Sequence, residues 1–151
     1  CDEDAPAPFL AKVGGAGHGL GAVGDAEGSH FLALPSGGSR VSQSVGGHHA
    51  SVIYQINFRI AAPLARRGAP RPVLRLTLVD GSSAQELGNF TAADQQFSLR
   101  SVSYLPSNPA VVFELENVSP PGAGPVLVDH VHFTLRYEAG RCVSSSACAK
   151  R

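Results

Sequence analysis

The chain has 151 residues, with Lys plus Arg at 12 and Asp plus Glu at 12, and only 16% of it is charged. That length suits one domain with a core that needs no staples. A balanced charge supplies no field to concentrate nucleic acid or an anionic membrane, so neither is a favoured partner. No stretch approaches the roughly 18 apolar residues a transmembrane helix needs, so no span is expected in this segment.

The chain opens on Cys1-Asp2-Glu3-Asp4, with no signal peptide in view. Such a start fits a fragment cut from a longer protein, or a Cys1 that bears the lipid of a bacterial lipoprotein. Residues 1–28 read as a Gly-rich N-terminal segment and the edge of a sandwich, with one short apolar run at Phe9 to Val13. Gly14 to Gly28 reads as loop, because a Gly-rich phosphate cradle needs a strand before it and a helix after it, and no helical pattern comes next.

From Ser29 onward alternation with period two takes over. Ser29 to Leu34 and Ser39 to Val45 flank the turn Pro35-Ser36-Gly37-Gly38 and read as an opening hairpin. Gln43 shares its parity with Val41 and Val45, which predicts a buried amide tying down loop backbone. In the next strand Val52, Tyr54, Ile56, Phe58 and Ile60 share one face, and Ser51, Gln55, Asn57 and Arg59 share the other with Ile53. The link Ala61 to Pro72 carries Arg66, Arg67 and Arg71. Leu74, Leu76 and Leu78 then alternate with Arg75 and Thr77. Phe97 and Leu99 have one parity and Val102 and Tyr104 the other, as a β-bulge between them would produce. Val111, Phe113 and Leu115 alternate with Glu114 and Glu116.

The last strand runs Val126 to Tyr137. Asp129 shares parity with Leu127, Val131, Phe133, Leu135 and Tyr137, which predicts that it faces inward. A bare buried carboxylate costs several kcal/mol, so Asp129 must accept hydrogen bonds from loop backbone or ligate a cation. His130 and His132 fall on the outer face with Thr134 and Arg136, where solvated histidines are the default. Two histidines at that spacing could also hold zinc or copper with a third donor such as His48 or His49.

No segment has a helical period. The turns at Gly46-Gly47, Asp80-Gly81, Pro106 to Pro109 and Pro120 to Pro125 carry suitable residues. The fold class is therefore all-β, an antiparallel sandwich of jelly-roll type with 7–9 strands over residues 29–138. Residues 139–151 read as a Cys-containing tail that leads to a further segment.

Cys1, Cys142 and Cys148 lie at the ends of the chain. Cys1 could pair with either of the others, or Cys142 and Cys148 could close a small loop while Cys1 pairs elsewhere. Asn89-Phe90-Thr91 and Asn117-Val118-Ser119 are candidate glycosylation signals that point to a secretory route, and Asn89 is the stronger of the two. Arg66 and Arg67, with Arg71, could grip carboxylates or sulfates of an acidic glycan. Tyr104 and Asn108, either side of Pro106, form the other candidate ligand contact. With no Trp and three Tyr, the chain is poorly supplied with aromatics for stacking sugars. No nucleophile elbow, zinc-protease motif or phosphate loop in context is present, so no catalytic residue is assigned.

The order Glu27-Gly28-Ser29-His30-Phe31-Leu32-Ala33-Leu34, then Val41 to Val45, then Tyr54 to Phe58, and finally Gly124-Pro125-Val126-Leu127-Val128-Asp129-His130-Val131 resembles galactose-binding-like jelly rolls. It is most similar to DUF642-type extracellular domains, over about residues 27 to 138. The resemblance implies a non-catalytic extracellular module that binds glycans or other proteins. Some galactose-binding-like domains hold a structural calcium between an early loop and the last strand, and for such an ion Asp25, Glu27 and Asp129 are the candidate oxygen donors here; no other cofactor is expected. The expected function is an assembly or adhesion module, part of a larger secreted or surface-attached protein of the cell surface or cell wall. The alternative is a carbohydrate-binding module acting on such glycans.

Overall fold

A computed structural model describes residues 9–12, 30–35, 37–63, 68–93 and 95–138. The strands, in chain order, are β1 (Phe9–Lys12), β2 (His30–Leu34), β3 (Arg40–Val45), β4 (Val52–Ala61) and β5 (Val73–Asp80). They continue as β6 (Ser83–Thr91), β7 (Ser98–Tyr104), β8 (Val111–Asn117) and β9 (Val126–Glu138). Two antiparallel sheets result, a five-stranded one in the order β1-β2-β9-β4-β7 and a four-stranded one in the order β3-β8-β5-β6. Among the described residues there is no helix, and hence none long and apolar enough to cross a membrane.

The period-two pattern places the core as expected. Tyr54, Ile56, Phe58 and Ile60 of β4 face Leu74, Leu76 and Leu78 of β5 and Val111, Phe113 and Leu115 of β8. Each such side chain contributes about 1.5–3 kcal/mol by leaving water. The inner faces interdigitate, and the edge-on contact of Phe58 with Phe90, ring centres 5.1 Å apart, spans the two sheets.

Three expectations are corrected. The opening hairpin does not pair with itself: β2 joins β9 and β1, whereas β3 joins β8 in the other sheet. The turn between them is a corner of the sandwich, where Gly38 N–H donates to Asn117 O at 2.7 Å and Asn117 N–H donates to Ser39 O at 2.9 Å. No bulge interrupts β7, which pairs with β4 in unbroken register from Ser98 to Tyr104. Phe97 instead precedes the strand and packs on Phe31, ring centres 5.8 Å apart. Bulges lie where β9 meets β4, at Ile53/Tyr54 and at Asn57/Arg59, and a further one where β6 meets β5, at Leu76/Thr77.

The second of these bulges reverses the expected orientation of Asp129. Asn57 is opposite His132 but Arg59 is opposite Asp129, so one residue of β4 faces two of β9, His130 and Val131. His130 takes up the extra length with φ 51°, a left-handed conformation. Val126 and Val128 therefore share the core with Phe133, and Asp129, the neighbour of outward-facing Arg59, lies on the outer face. Inheriting parity across the bulge is what makes the inward reading fail.

Candidate functional site

The outer face of the five-stranded sheet is built by the side chains of β7, β4 and β9 that alternate with the core set. The registers stack them in rows: Ser103–Gln55–Thr134, Ser101–Asn57–His132 and Leu99–Arg59–Asp129. Below the last row the face becomes apolar and covered, with Phe31, Ala33, Ala61 and Leu127 all buried. Above the first row Ile53 is exposed. Between these apolar margins lies a band of amides, hydroxyls and imidazoles.

Asn57 orders that band. It is 7% exposed, and its Oδ1 accepts from Gln55 Nε2 at 2.7 Å and from the Ser101 hydroxyl at 2.6 Å. Its Nδ2 donates to Thr134 Oγ1 at 3.4 Å. One buried amide thus fixes side chains from three neighbouring strands before any ligand arrives, and a preordered set loses less side-chain entropy on binding. Arg59 and Asp129 occupy directly paired positions at the lower end of the band. Next to them the His130 and His132 rings meet edge-on at 4.6 Å. The surface offers directional donors and acceptors without a strong net charge, which suits uncharged polyhydroxylated ligands.

The residues singled out in the sequence scatter. Asp129 joins this face, 8% exposed. Tyr104 is not a contact residue: it is buried at the end of β7, stacked on Tyr54 at 5.8 Å and bonded to His48 Nε2 at 2.7 Å. Burial, with the nearby Tyr54 as a lesser cause, pushes its phenol above the ordinary tyrosine range. His48 is buried beside it, which removes it as a surface metal donor. Asn108 is exposed, but its amide donates to Asp80 Oδ1 at 2.5 Å, clasping the β7–β8 loop to the β5–β6 turn. Gln43 is exposed rather than buried. It lines a cleft of about 220 Å³ between edge strand β3 and β9, with Val41, Val45, Phe113, Val131 and Phe133. Asn117, a glycosylation candidate, is 0% exposed, and its amide donates to Leu34 O at 2.9 Å and Gly124 O at 3.3 Å. A glycan does not fit there in the folded chain.

Asp25, Glu27, Arg66, Arg67, Cys1, Cys142 and Cys148 lie outside the described residues. Among the described residues no three of His, Cys, Asp and Glu gather as a metal site. Of the three calcium candidates only Asp129 falls among the described residues, on a position paired in register with Arg59. Gln55, Asn57, Ser101, Ser103 and Thr134 were the residues that sequence reasoning left unassigned. Their signal was present: two amides at alternate positions on the solvent side of β4, a core strand of 10 residues.

No known protein family matches the chain, and no curated protein sequence matches it. Its fold is similar to solved structures of carbohydrate-binding modules. TmCBM61, in complex with β-1,4-galactotriose, superposes with a TM-score of 0.58 at 12% identity, covering 89% of this chain and 84% of that one. The CBM22-1 xylan-binding domain of Paenibacillus barcinonensis Xyn10C gives 0.52 at 16% identity, covering 76% and 78%. The module CBM36, in complex with calcium and xylotriose, gives 0.50 at 12% identity, covering 83% and 88%. These likenesses establish an all-β jelly-roll sandwich of the kind the sequence implied.

Proposed function

We propose that this chain is a non-catalytic carbohydrate-binding module whose ligand lies across the outer face of the five-stranded sheet. The carrying observation is the amide and hydroxyl band ordered by Asn57 across β7, β4 and β9. The similar folds add support, because TmCBM61 holds β-1,4-galactotriose and CBM36 holds xylotriose. A secreted or surface setting, at a cell surface or cell wall, is in keeping with a glycan ligand. In the recognition step Gln55 and Thr134 hydrogen-bond sugar hydroxyls while Asn57 keeps both oriented. Leu99 and Ile53, exposed at opposite ends of the band, cover apolar sugar faces.

Titration calorimetry with β-1,4-linked galactan and xylan oligosaccharides tests the proposal. Gln55→Ala should weaken binding about tenfold, the loss of one or two hydrogen bonds, with the melting temperature unchanged. Wild-type protein that is folded yet binds no glycan on a broad array would sink it.

A second reading, an assembly or adhesion module, draws on the cleft beside β3. Val131, which lines it, is 43% exposed, and Leu135, further along the same strand, is 54% exposed, both on the part of β9 beyond its pairing with β2. Sedimentation of Leu135→Glu against wild type tests it: equal monomeric behaviour at high concentration would remove self-assembly through this edge.

A further inference from the structure

The fold treats the two Asn-X-Ser/Thr tripeptides oppositely. Asn117 is at zero exposure, and both sides of its amide are committed, the nitrogen to Leu34 and Gly124 carbonyls and Oδ1 to the Ser119 N–H at 3.0 Å. The hydroxyl of Ser119, the third residue of that tripeptide, also accepts from Val73 N–H at 2.7 Å. Asn89 is held far more loosely. It is exposed on β6, the edge strand of the four-stranded sheet. Its side-chain amide donates to the carboxylate of Glu86, at 2.6 Å and in solvent.

Register settles which way Asn89 points. It pairs with Arg75, and β5 sends Leu74, Leu76 and Leu78 into the core, so Arg75 and Asn89 share the outer face. Thr91 has the same parity and is also exposed. Phe90, between them, turns inward onto Phe58. An extended segment therefore presents the amide and the hydroxyl of the tripeptide together on the solvent side while its middle residue holds the strand down. No described strand lies beyond β6, so a large group on Asn89 meets no described strand there.

We propose that Asn89, and not Asn117, is an acceptor for an N-linked glycan. In the transfer, Nδ2 of Asn89 forms a bond to the anomeric carbon of a lipid-pyrophosphate-linked oligosaccharide. The bond from that carbon to the pyrophosphate oxygen breaks, the lipid pyrophosphate leaves with the electron pair, and the amide gives up one proton. The attached glycan stands on the opposite face of the sandwich from the Gln55–Asn57 band and leaves that band open. Glycosylation of Asn89 does not depend on what the band binds.

The test is to secrete the chain from a eukaryotic cell line and release N-glycans enzymatically in heavy-oxygen water, followed by peptide mass spectrometry. Release converts a glycosylated Asn to a labelled Asp. The label is expected on Asn89 and absent from Asn117. Asn89→Gln and Thr91→Ala should each abolish it while leaving secretion and the melting temperature intact, and the second variant retains the asparagine itself. Secreted, folded protein with an unmodified Asn89, or with a labelled Asn117, overturns the proposal.

Discussion

Asn117 and Asp80 show how single polar side chains hold this sandwich shut. Asn117 closes the corner where β2 leaves for β3: its amide donates to the Leu34 carbonyl, and its oxygen accepts from Ser119 by backbone N–H and by hydroxyl. Removing it strands buried groups, so Asn117→Ala should cost about 2–4 kcal/mol in urea unfolding. Asn117→Asp should be no better, because an ionised carboxylate cannot donate to Leu34 and Gly124. Asp80 acts at the surface, accepting from Ser107 N–H at 2.5 Å and from the Asn108 amide at 2.5 Å. These bonds, the Ser107 one foremost, hold its carboxyl below the usual aspartate range. The group therefore contributes stability above its unfolded pKa, about 3.9, and that contribution disappears as pH falls through the lower folded value. Melting curves between pH 6 and about pH 2 should show a steeper acid loss for wild type than for Asp80→Ala. Neither role was legible in the sequence. Asn117 reads as a glycosylation signal and Asp80 as a turn residue, because their partners lie 83 and 28 positions away in the chain.

Strands β4, β5 and β8 were legible because each keeps one period from end to end with a partner on both sides. Strand β9 was legible as a strand but not as a face. Its 13 residues alternate in sequence as though straight, whereas two register shifts against β4 turn the pattern over. Bulges depend on how two strands fit together, so a single strand's sequence does not announce them. Gln43 fails for a related reason: β3 is an edge strand whose inward residues border a cleft rather than a closed core, and alternation cannot tell the two apart. The bulge itself is testable through His130, held at φ 51°. A β-branched residue tolerates that conformation poorly and glycine accepts it freely. His130→Val should lose about 1–2 kcal/mol and His130→Gly should come within a few tenths of wild type, read from the midpoint of denaturant unfolding. Equal loss in both would mean that the imidazole's contact with His132, not the backbone angle, is what the position requires.

The two outer faces of the sandwich differ in kind, and that difference bears on function for the molecule as a whole. The four-stranded sheet turns out alternating charges: Arg75 bonds Glu116 at 2.6 Å, and Arg40, Glu86 and Glu114 lie on the same side by register. Such a face is well solvated, and its ion pairs contribute little either way. The five-stranded sheet turns out amides and hydroxyls in ordered rows, a pattern that charge balance alone does not call for. A bulky cation placed on each face distinguishes them. Thr134→Arg fills the band beside Gln55 and should reduce affinity for a neutral oligosaccharide by about tenfold or more, since it displaces the Thr134–Asn57 contact and covers neighbouring donors. Thr77→Arg sits between Glu86 and Glu114 on the other face, where the new cation finds opposite charge, and should leave both affinity and melting temperature near wild type. Because the ligand is taken as uncharged, raising salt from about 50 mM to 500 mM should change neither result, whereas an acidic glycan held by Arg59 would weaken steeply over that range. Loss of binding in Thr77→Arg with retention in Thr134→Arg would move the site to the four-stranded sheet and leave the Asn57 network as a device for stability alone.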